Sequence, residues 1–345
     1  MKKNFFDEVV PQLFPYLVEV HPTNIGEPMI SDWFVHFCNK AIEYGVLLDI
    51  TTNGTLLSER IAAILMPRLT DIKISFDGAR KDTYEHIRRG ASFEHVMRNI
   101  KLLLRERTIS RASGTVTLQM TLISFNYREL PDLVRLARDI GVDRVKAYHV
   151  FSYSKAVDCL SMISDMDAFE DIRLQSLELS QSLGVRLEVS ESCRGRVTDL
   201  EFRKCRLPWA ECWIDSDGAV YPCHSHRGFV YGNLHEARFE SIWRGDSAAK
   251  LRNALVSRDR ASICSGCGMN YRTKTPGGAV PYDASGFLHR GARHTTNDPV
   301  RWSARTKQFP ILEPRAYSMT IDSGTRDSFV NGDDNSEPRQ ESIHE

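Results

Sequence analysis

The side chains with the most chemistry in this chain are its eight cysteines, Cys38, Cys159, Cys193, Cys205, Cys212, Cys223, Cys264 and Cys267. The amino-terminal stretch MKKNFFDEVVPQLF carries Asp7 and Glu8 and has neither an apolar h-region nor a small-residue cleavage site, so the chain reads as cytoplasmic. In a reducing compartment, clustered thiols point to metal ligation rather than to disulfides. Cys205 and Cys223 enclose 17 residues, with Gly218 five positions before the second, and Cys264-Ser265-Gly266-Cys267 forms a CxxC knuckle. Four thiolates from two separated pairs suit a closed tetrahedral site for zinc or a cubane iron–sulfur cluster. Arg203, Lys204, Arg206, His224 and Arg227 flank these cysteines, where positive charge would favour thiolate, although a solvated basic face gives the same pattern. Cys212 reads as a fifth, non-ligating cysteine, and Cys38 as a buried thiol beside Trp33, Phe34 and Phe37. Cys159 and Cys193 have no partner at ligand spacing.

A second set of polar residues falls where strands end. Strands are predicted over Tyr16–His21, Val46–Thr51, Asp71–Phe76, Thr115–Ile123, Arg144–His149 and Val185–Val189. Helical repeats lie between them, such as Phe93, Val96, Ile100 and Leu103, or Leu130, Leu133, Val134, Ala137 and Ile140. Ser58 reads as an N-cap, Pro67 as a helix stop, and Gly45, Gly141 and Gly184 as C′ residues. Such alternation predicts a parallel α/β architecture, open or barrel-like. Gly26-Glu27-Pro28 follows the first strand, Thr52-Asn53-Gly54 the second and Asn126 the fourth; Ser75-Phe76-Asp77-Gly78 closes the third and His149 the fifth. Loops after parallel strands share one rim, where ligands bind. Turns and caps alone also enrich such loops in Gly, Asn, Ser and Asp, so composition does not name the ligand.

The 345 residues suggest about two domains. Lys plus Arg and Asp plus Glu both total 45, so no global charge directs the chain to nucleic acid or an anionic membrane. No apolar run approaches the roughly 18 residues of a membrane helix. From about residue 200 the texture changes to WIDSDGAVYPCHSHRGFVYGNL, read as short hairpins with Asp217-Gly218 as a turn, followed by short helices around Phe239–Trp243 and Ala248–Ser257. The expected units are 1–190, 200–272 and an irregular to disordered tail over 273–345.

GEP at 26–28, TNGT at 52–55, ISFDGARKDTYEHIRRG at 74–90 and the CRLPW…DGAVYPC…YGNL…SIW…LRNAL…CSGC pattern over 205–267 resemble radical S-adenosylmethionine (SAM) enzymes carrying a SPASM or twitch extension. The resemblance covers about residues 5–270. It implies a partial (β/α)6 barrel binding SAM, then a small cysteine-rich domain with one auxiliary [4Fe–4S] cluster on Cys205, Cys223, Cys264 and Cys267. It further implies SAM contacts from Gly26, Glu27, Ser75 and Arg88, and the strand-end rim adds Pro28, Asn53, Asp77 and Asn126 as candidate cofactor contacts. Arg88 suits the SAM carboxylate, since a guanidinium fork matches that group. His224, which stands where sulfatase-maturing relatives have an Asp base, is a candidate base or a hydrogen-bonding neighbour of the cluster.

The family's catalytic cluster is bound by CxxxCxxC after the first barrel strand, and no such motif occurs in these residues. Three explanations stay open: a start codon placed too far downstream, a degenerate gene, or an enzyme split between chains. The first strand would then be missing and the edge at Tyr16–His21 left unpaired, an aggregation liability. If complete, the protein would be an oxidoreductase abstracting hydrogen from a peptide or a small alcohol, with the auxiliary cluster accepting an electron or positioning the substrate. A reductant such as flavodoxin or ferredoxin would serve it, with no nucleic acid or membrane partner. The rival reading is a non-catalytic scaffold with a structural four-cysteine metal site.

Overall fold

In the computed structural model, residues 1–23, 26–150, 160, 165–190, 201–202, 207–223, 229–256, 271–272 and 318–321 are described. The strands are β1 (Glu19–His21), β2 (Leu47–Thr52), β3 (Leu69–Ser75), β4 (Thr115–Leu122), β5 (Arg144–His149), β6 (Arg186–Val189), β7 (Glu201–Phe202), β8 (Glu211–Ile214), β9 (Ala219–Tyr221), β10 (Gly232–Asn233), β11 (Tyr271–Arg272) and β12 (Ser318–Ile321). Ten of them form one sheet in the order β10-β9-β8-β12-β1-β2-β3-β4-β5-β6, in which every pairing from β8 through β6 is parallel.

The two faces of this sheet differ. Val20, Leu48, Ile50, Ile72, Ile74, Val116, Leu118, Met120, Val145 and Ala147 are buried in a single apolar core. It is shared with α2 (Phe34–Tyr44), α3 (Glu59–Leu65), α5 (Phe93–Ser110) and α6 (Leu130–Ile140), through residues such as Phe37, Leu65, Ile100 and Val134. Each Leu or Ile so buried contributes about 1.5–3 kcal/mol. The intervening strand positions are polar, so period-two alternation gives the sheet an apolar helix-covered face and a charged one. Ser58 accepts from the amide of Ile61 and so caps α3, while Gly45, Gly141 and Gly184 end their helices in the left-handed region.

Three expectations change. The first strand is shorter than expected because Phe14–Tyr16 closes as a 3-10 turn with Pro15 at its start, and an unforeseen helix, α1 (Lys3–Leu13), precedes it. The edge of β1 is not open: Glu19, Val20 and His21 pair with Ser318, Met319 and Thr320. The tail therefore supplies a central strand rather than only irregular chain, because an unpaired parallel edge offers a ready row of hydrogen-bonding groups. On its other side β12 pairs with β8.

Among the described residues of the expected smaller unit, the hairpin and the two short helices are present. Gly218, with φ of 82°, turns β8 into the antiparallel β9, and the helices Phe239–Arg244 and Asp246–Val256 follow. A Cβ on Gly218 would lie 2.8 Å from Asn233 Oδ1 and 3.0 Å from the Phe5 ring. The unit is fastened to α1: Phe5 stacks on His235 at 3.8 Å, and the amide of Phe239 donates to Gln12 Oε1.

Candidate functional site

The carboxyl-terminal ends of β1, β2 and β3 and the loop after β4 form the rim that the sequence singles out. Gly26 is exposed at φ 105°, and a Cβ placed there would meet nothing within 4 Å. Beside it, Glu27 caps the turn Pro28–Ile30 by accepting from the amide of Met29, and Pro28 is buried at the start of that turn. Thr52 Oγ1 donates to Glu27 Oε1 at 2.8 Å, and the Asn53 amide donates to Oε2 at 2.6 Å. Three hydrogen bonds on about four lone-pair directions leave this carboxylate one further acceptor. Burial raises its pKa, against the opposing effect of those bonds and of the Arg88 charge, which places Arg88 within electrostatic reach.

Asn53 is turned inward on its own loop, its Oδ1 accepting from the amide and hydroxyl of Thr55. Asn99 on α5 donates to Gly54 O and holds that loop from behind. Ser75 ends β3, half-buried. Asp77, two residues on, accepts from Arg88 Nε and Nη2 at 2.6 Å on Oδ2 and from the Thr121 amide at 2.7 Å on Oδ1. Burial raises the pKa of Asp77, and Arg88 works against that rise. Gly78 cannot be another residue without movement, because its Cβ would lie 2.6 Å from the Tyr84 amide nitrogen.

Asn126 is fully buried, and its amide is committed: Nδ2 donates to Asp77 O and Thr121 O, and Oδ1 accepts from the Ile123 amide, all at 2.9 Å. It ties the loop at Asp77 to the end of β4 at Thr121, so its observed bonds are to the protein's own backbone. Thr52, read with its loop, does comparable work, as do Asn99 and Glu129, which were not anticipated. Glu129 accepts from the amides of Ala79 and Arg80 and from the Thr83 hydroxyl, so it anchors the turn leading into α4 (Lys81–Ile87) from a distant loop. Such long-range anchoring leaves no local spacing to read.

Two groups thus face the rim with capacity to spare: the remaining acceptor of Glu27 and the half-exposed guanidinium of Arg88, which has donors beyond the two given to Asp77. An acceptor and a cationic fork on one rim complement the ammonium and carboxylate of an α-amino acid.

Below the rim, the charged face carries a layered network that the sequence analysis did not single out. Arg144 pairs with Asp71, donates to Thr117 Oγ1 and reaches Glu188 at 3.1 Å. Lys73 pairs with Asp49 and lies 3.5 Å from Asp71. His21 Nε2 lies 3.1 Å from Asp49 Oδ2 and 3.9 Å from Glu19 Oε1. The signal was available: E-V-H, D-I-K-I-S, T-V-T-L-Q and R-V-K place a polar residue at every second strand position.

Of the cysteines, Cys38 and Cys212 are buried, and burial pushes both thiols up to about 12. Inert structural thiols behave this way. Cys223 is half-buried just after β9. Cys205, Cys264, Cys267 and His224 lie outside the described residues, so the convergence of the four ligands rests on the sequence.

The family model for the radical SAM superfamily matches residues 25–137, and that for the iron–sulfur cluster-binding SPASM domain matches residues 205–268, which contain all four expected ligands. A tungsten-containing aldehyde ferredoxin oxidoreductase cofactor-modifying protein from Pyrococcus furiosus is 24% identical over 254 residues, 68% of this chain and 69% of that protein. PqqA peptide cyclase from Rhodopseudomonas palustris is 24% identical over 250 residues, 67% of this chain and 62% of that one. The crystal structure of anSMEcpe with bound AdoMet superposes with a TM-score of 0.57 at 13% identity, covering 89% of each chain. That likeness is one of fold.

Proposed function

This chain belongs to the radical SAM superfamily and carries a SPASM-type iron–sulfur domain, and on that premise we propose that its rim binds SAM for hydrogen abstraction from a peptide or small-alcohol substrate. The observation that carries the reading is that the Glu27 carboxylate, with an acceptor to spare, and the Arg88 guanidinium, held by Asp77 and felt electrostatically at Glu27, both lie at this rim. Arg88 would take the methionyl carboxylate and the remaining acceptor of Glu27 the ammonium. Gly26, with open space where a side chain would stand, would let backbone approach the ligand. Asp77 holds the Arg88 fork in place, and Asn126 in turn fixes the backbone at Asp77. Ser75 would contribute a hydroxyl to the ribose or carboxylate, and Asn53 lines the opposite loop.

The chemistry SAM supplies to this superfamily is one-electron hydrogen abstraction, which side chains cannot replace. The 345 residues contain no CxxxCxxC, so they do not fit a catalytic cluster, and no cleavage step is derived through them. Thiolates of Cys205, Cys223, Cys264 and Cys267 would hold one auxiliary [4Fe–4S] cluster of the twitch type, with His224 beside it as a candidate base. A flavodoxin or ferredoxin would serve as the reductant. A peptide substrate is favoured by the relative named for cyclising the PqqA peptide. No helix among the described residues is long and apolar enough to cross a membrane, and we assign the protein to the cytoplasm.

The test is anaerobic purification, followed by metal and sulfide analysis and by equilibrium dialysis against SAM. Iron with acid-labile sulfide, together with SAM binding that Arg88→Ala abolishes, is the expected result. Stoichiometric zinc without SAM binding would instead establish a scaffold with a structural metal site.

A further inference from the structure

We propose that Glu19, His21 and Asp49 form a divalent-cation site on the charged face of the sheet, made of residues other than those of the SAM rim and the four cysteine ligands. Their ligand atoms lie within 4.8 Å of one another. Metal–oxygen and metal–nitrogen bonds of about 2.0–2.2 Å place neighbouring ligand atoms roughly 3.0–3.4 Å apart in tetrahedral or octahedral geometry. The 3.1 Å between His21 Nε2 and Asp49 Oδ2 already falls in that range, and Glu19 Oε1 at 3.9 Å needs only a small side-chain rotation.

A second observation points the same way. Asp49 is 1% exposed, and its buried Oδ2 faces the His21 imidazole at 3.1 Å, with no hydrogen bond to any other described residue. Its other oxygen is held by Lys73, which fixes the carboxylate plane and leaves Oδ2 directed into the cluster. Thr70 Oγ1, 2.8 Å from Glu19 Oε2, orients the second carboxylate in the same manner. Partners of this kind behind metal ligands set their direction.

Charge also matches. Glu19, Asp49, Asp71, Glu188 and Glu211 bring five carboxyl groups to this part of the face, against the two cations Lys73 and Arg144. One imidazole with two carboxylates is a borderline to hard donor set, suited to a first-row ion such as Mn²⁺, Fe²⁺ or Zn²⁺.

The inference does not depend on SAM binding, and its test uses Mn²⁺ alone, because thiolates at the cysteine site are poor ligands for that ion. The full chain, freed of loosely bound metal, is titrated with Mn²⁺ while free Mn²⁺ is followed by its EPR signal. One bound equivalent is expected, with nitrogen coupling from a single imidazole in pulsed EPR. His21→Gln and Asp49→Asn should each weaken binding at least ~10-fold, whereas Cys223→Ala should leave it unchanged. Absence of bound Mn²⁺, loss of binding in Cys223→Ala, or bound Mn²⁺ without nitrogen coupling would overturn the proposal. The coupling is read on the unaltered chain and decides the matter even if the variants fail to fold.

Discussion

At the scale of single residues, the rim separates groups that bind from groups that brace, and the two fail differently. Arg88 has both duties: it holds the charge of Asp77 and keeps donors for a ligand. Arg88→Lys keeps the charge but loses the planar fork, so it should weaken SAM binding while preserving most of the stability. Arg88→Ala also strands a buried carboxylate and should lower both. Dialysis and urea unfolding on the two variants separate these effects, and equal stability losses would remove Arg88 from the binding role. Asn126→Ala deletes three buried hydrogen bonds and should cost roughly 1–3 kcal/mol or more in urea unfolding. Its effect on SAM affinity should pass only through the position of Asp77. Glu211 gives a pH signature: burial pushes its carboxyl up to about 7 from 4.5, with His21 opposing the rise and Glu19 adding to it. Between those values the folded chain retains a proton that the unfolded chain has released. The group's contribution is therefore complete below about pH 4.5 and is lost as pH rises toward 7. Glu211→Gln should flatten that part of the stability profile, measured as the urea midpoint against pH.

At the scale of elements, what was legible in the sequence was what is encoded locally. Helix ends at Gly45, Gly141 and Gly184, the cap at Ser58 and the turn at Asp217-Gly218 each follow from one residue's backbone preference, and each stands where it was read. The placement of Gly26, Glu27, Asn53, Ser75 and Asp77 after strand ends was legible because parallel strands deliver their following loops to a common edge, whereas Arg88, at the end of α4, came from the resemblance. Glu129 anchoring the turn before α4 and Ser318–Ile321 entering the sheet were not legible, since nothing nearby in sequence marks a partner found only in three dimensions. The inserted strand yields its own prediction. A chain ending at residue 315 would leave the β1 edge and the β8 edge without a common neighbour. Backbone amide exchange across Glu19–His21 should then quicken, and light scattering should show association through the opened edge. Unchanged exchange would mean that β12 contributes no protection there.

At the scale of the molecule, the two units share one core, and this decides how metal loss is felt. Structural metal sites in small domains commonly supply the folding energy itself, so that removing the ion unfolds the domain. Here Cys212, Ile214, Val220, Tyr231, Leu234, Phe239, Ile242, Trp243 and Leu251 belong to the same buried cluster as Phe6, Val10 and Phe14 of the amino-terminal segment. Arg252 adds a clamp, lying 4.3 Å over the Trp243 ring and donating to Pro208 O and Trp243 O. At about 1.5–3 kcal/mol for each large side chain buried, this docking is worth more than a small cysteine-rich unit needs to stay folded. Cys223→Ala should therefore remove iron and sulfide from the anaerobically prepared protein while the β8–β9 hairpin and the helices through Val256 keep their exchange protection. Loss of protection should be confined to the segments that carry the ligands. If exchange instead becomes fast throughout 207–256 on metal loss, the cluster rather than the shared core holds the second unit together. The junction with α1 at Phe5 and Gln12 would then be a consequence of metal binding, not its support.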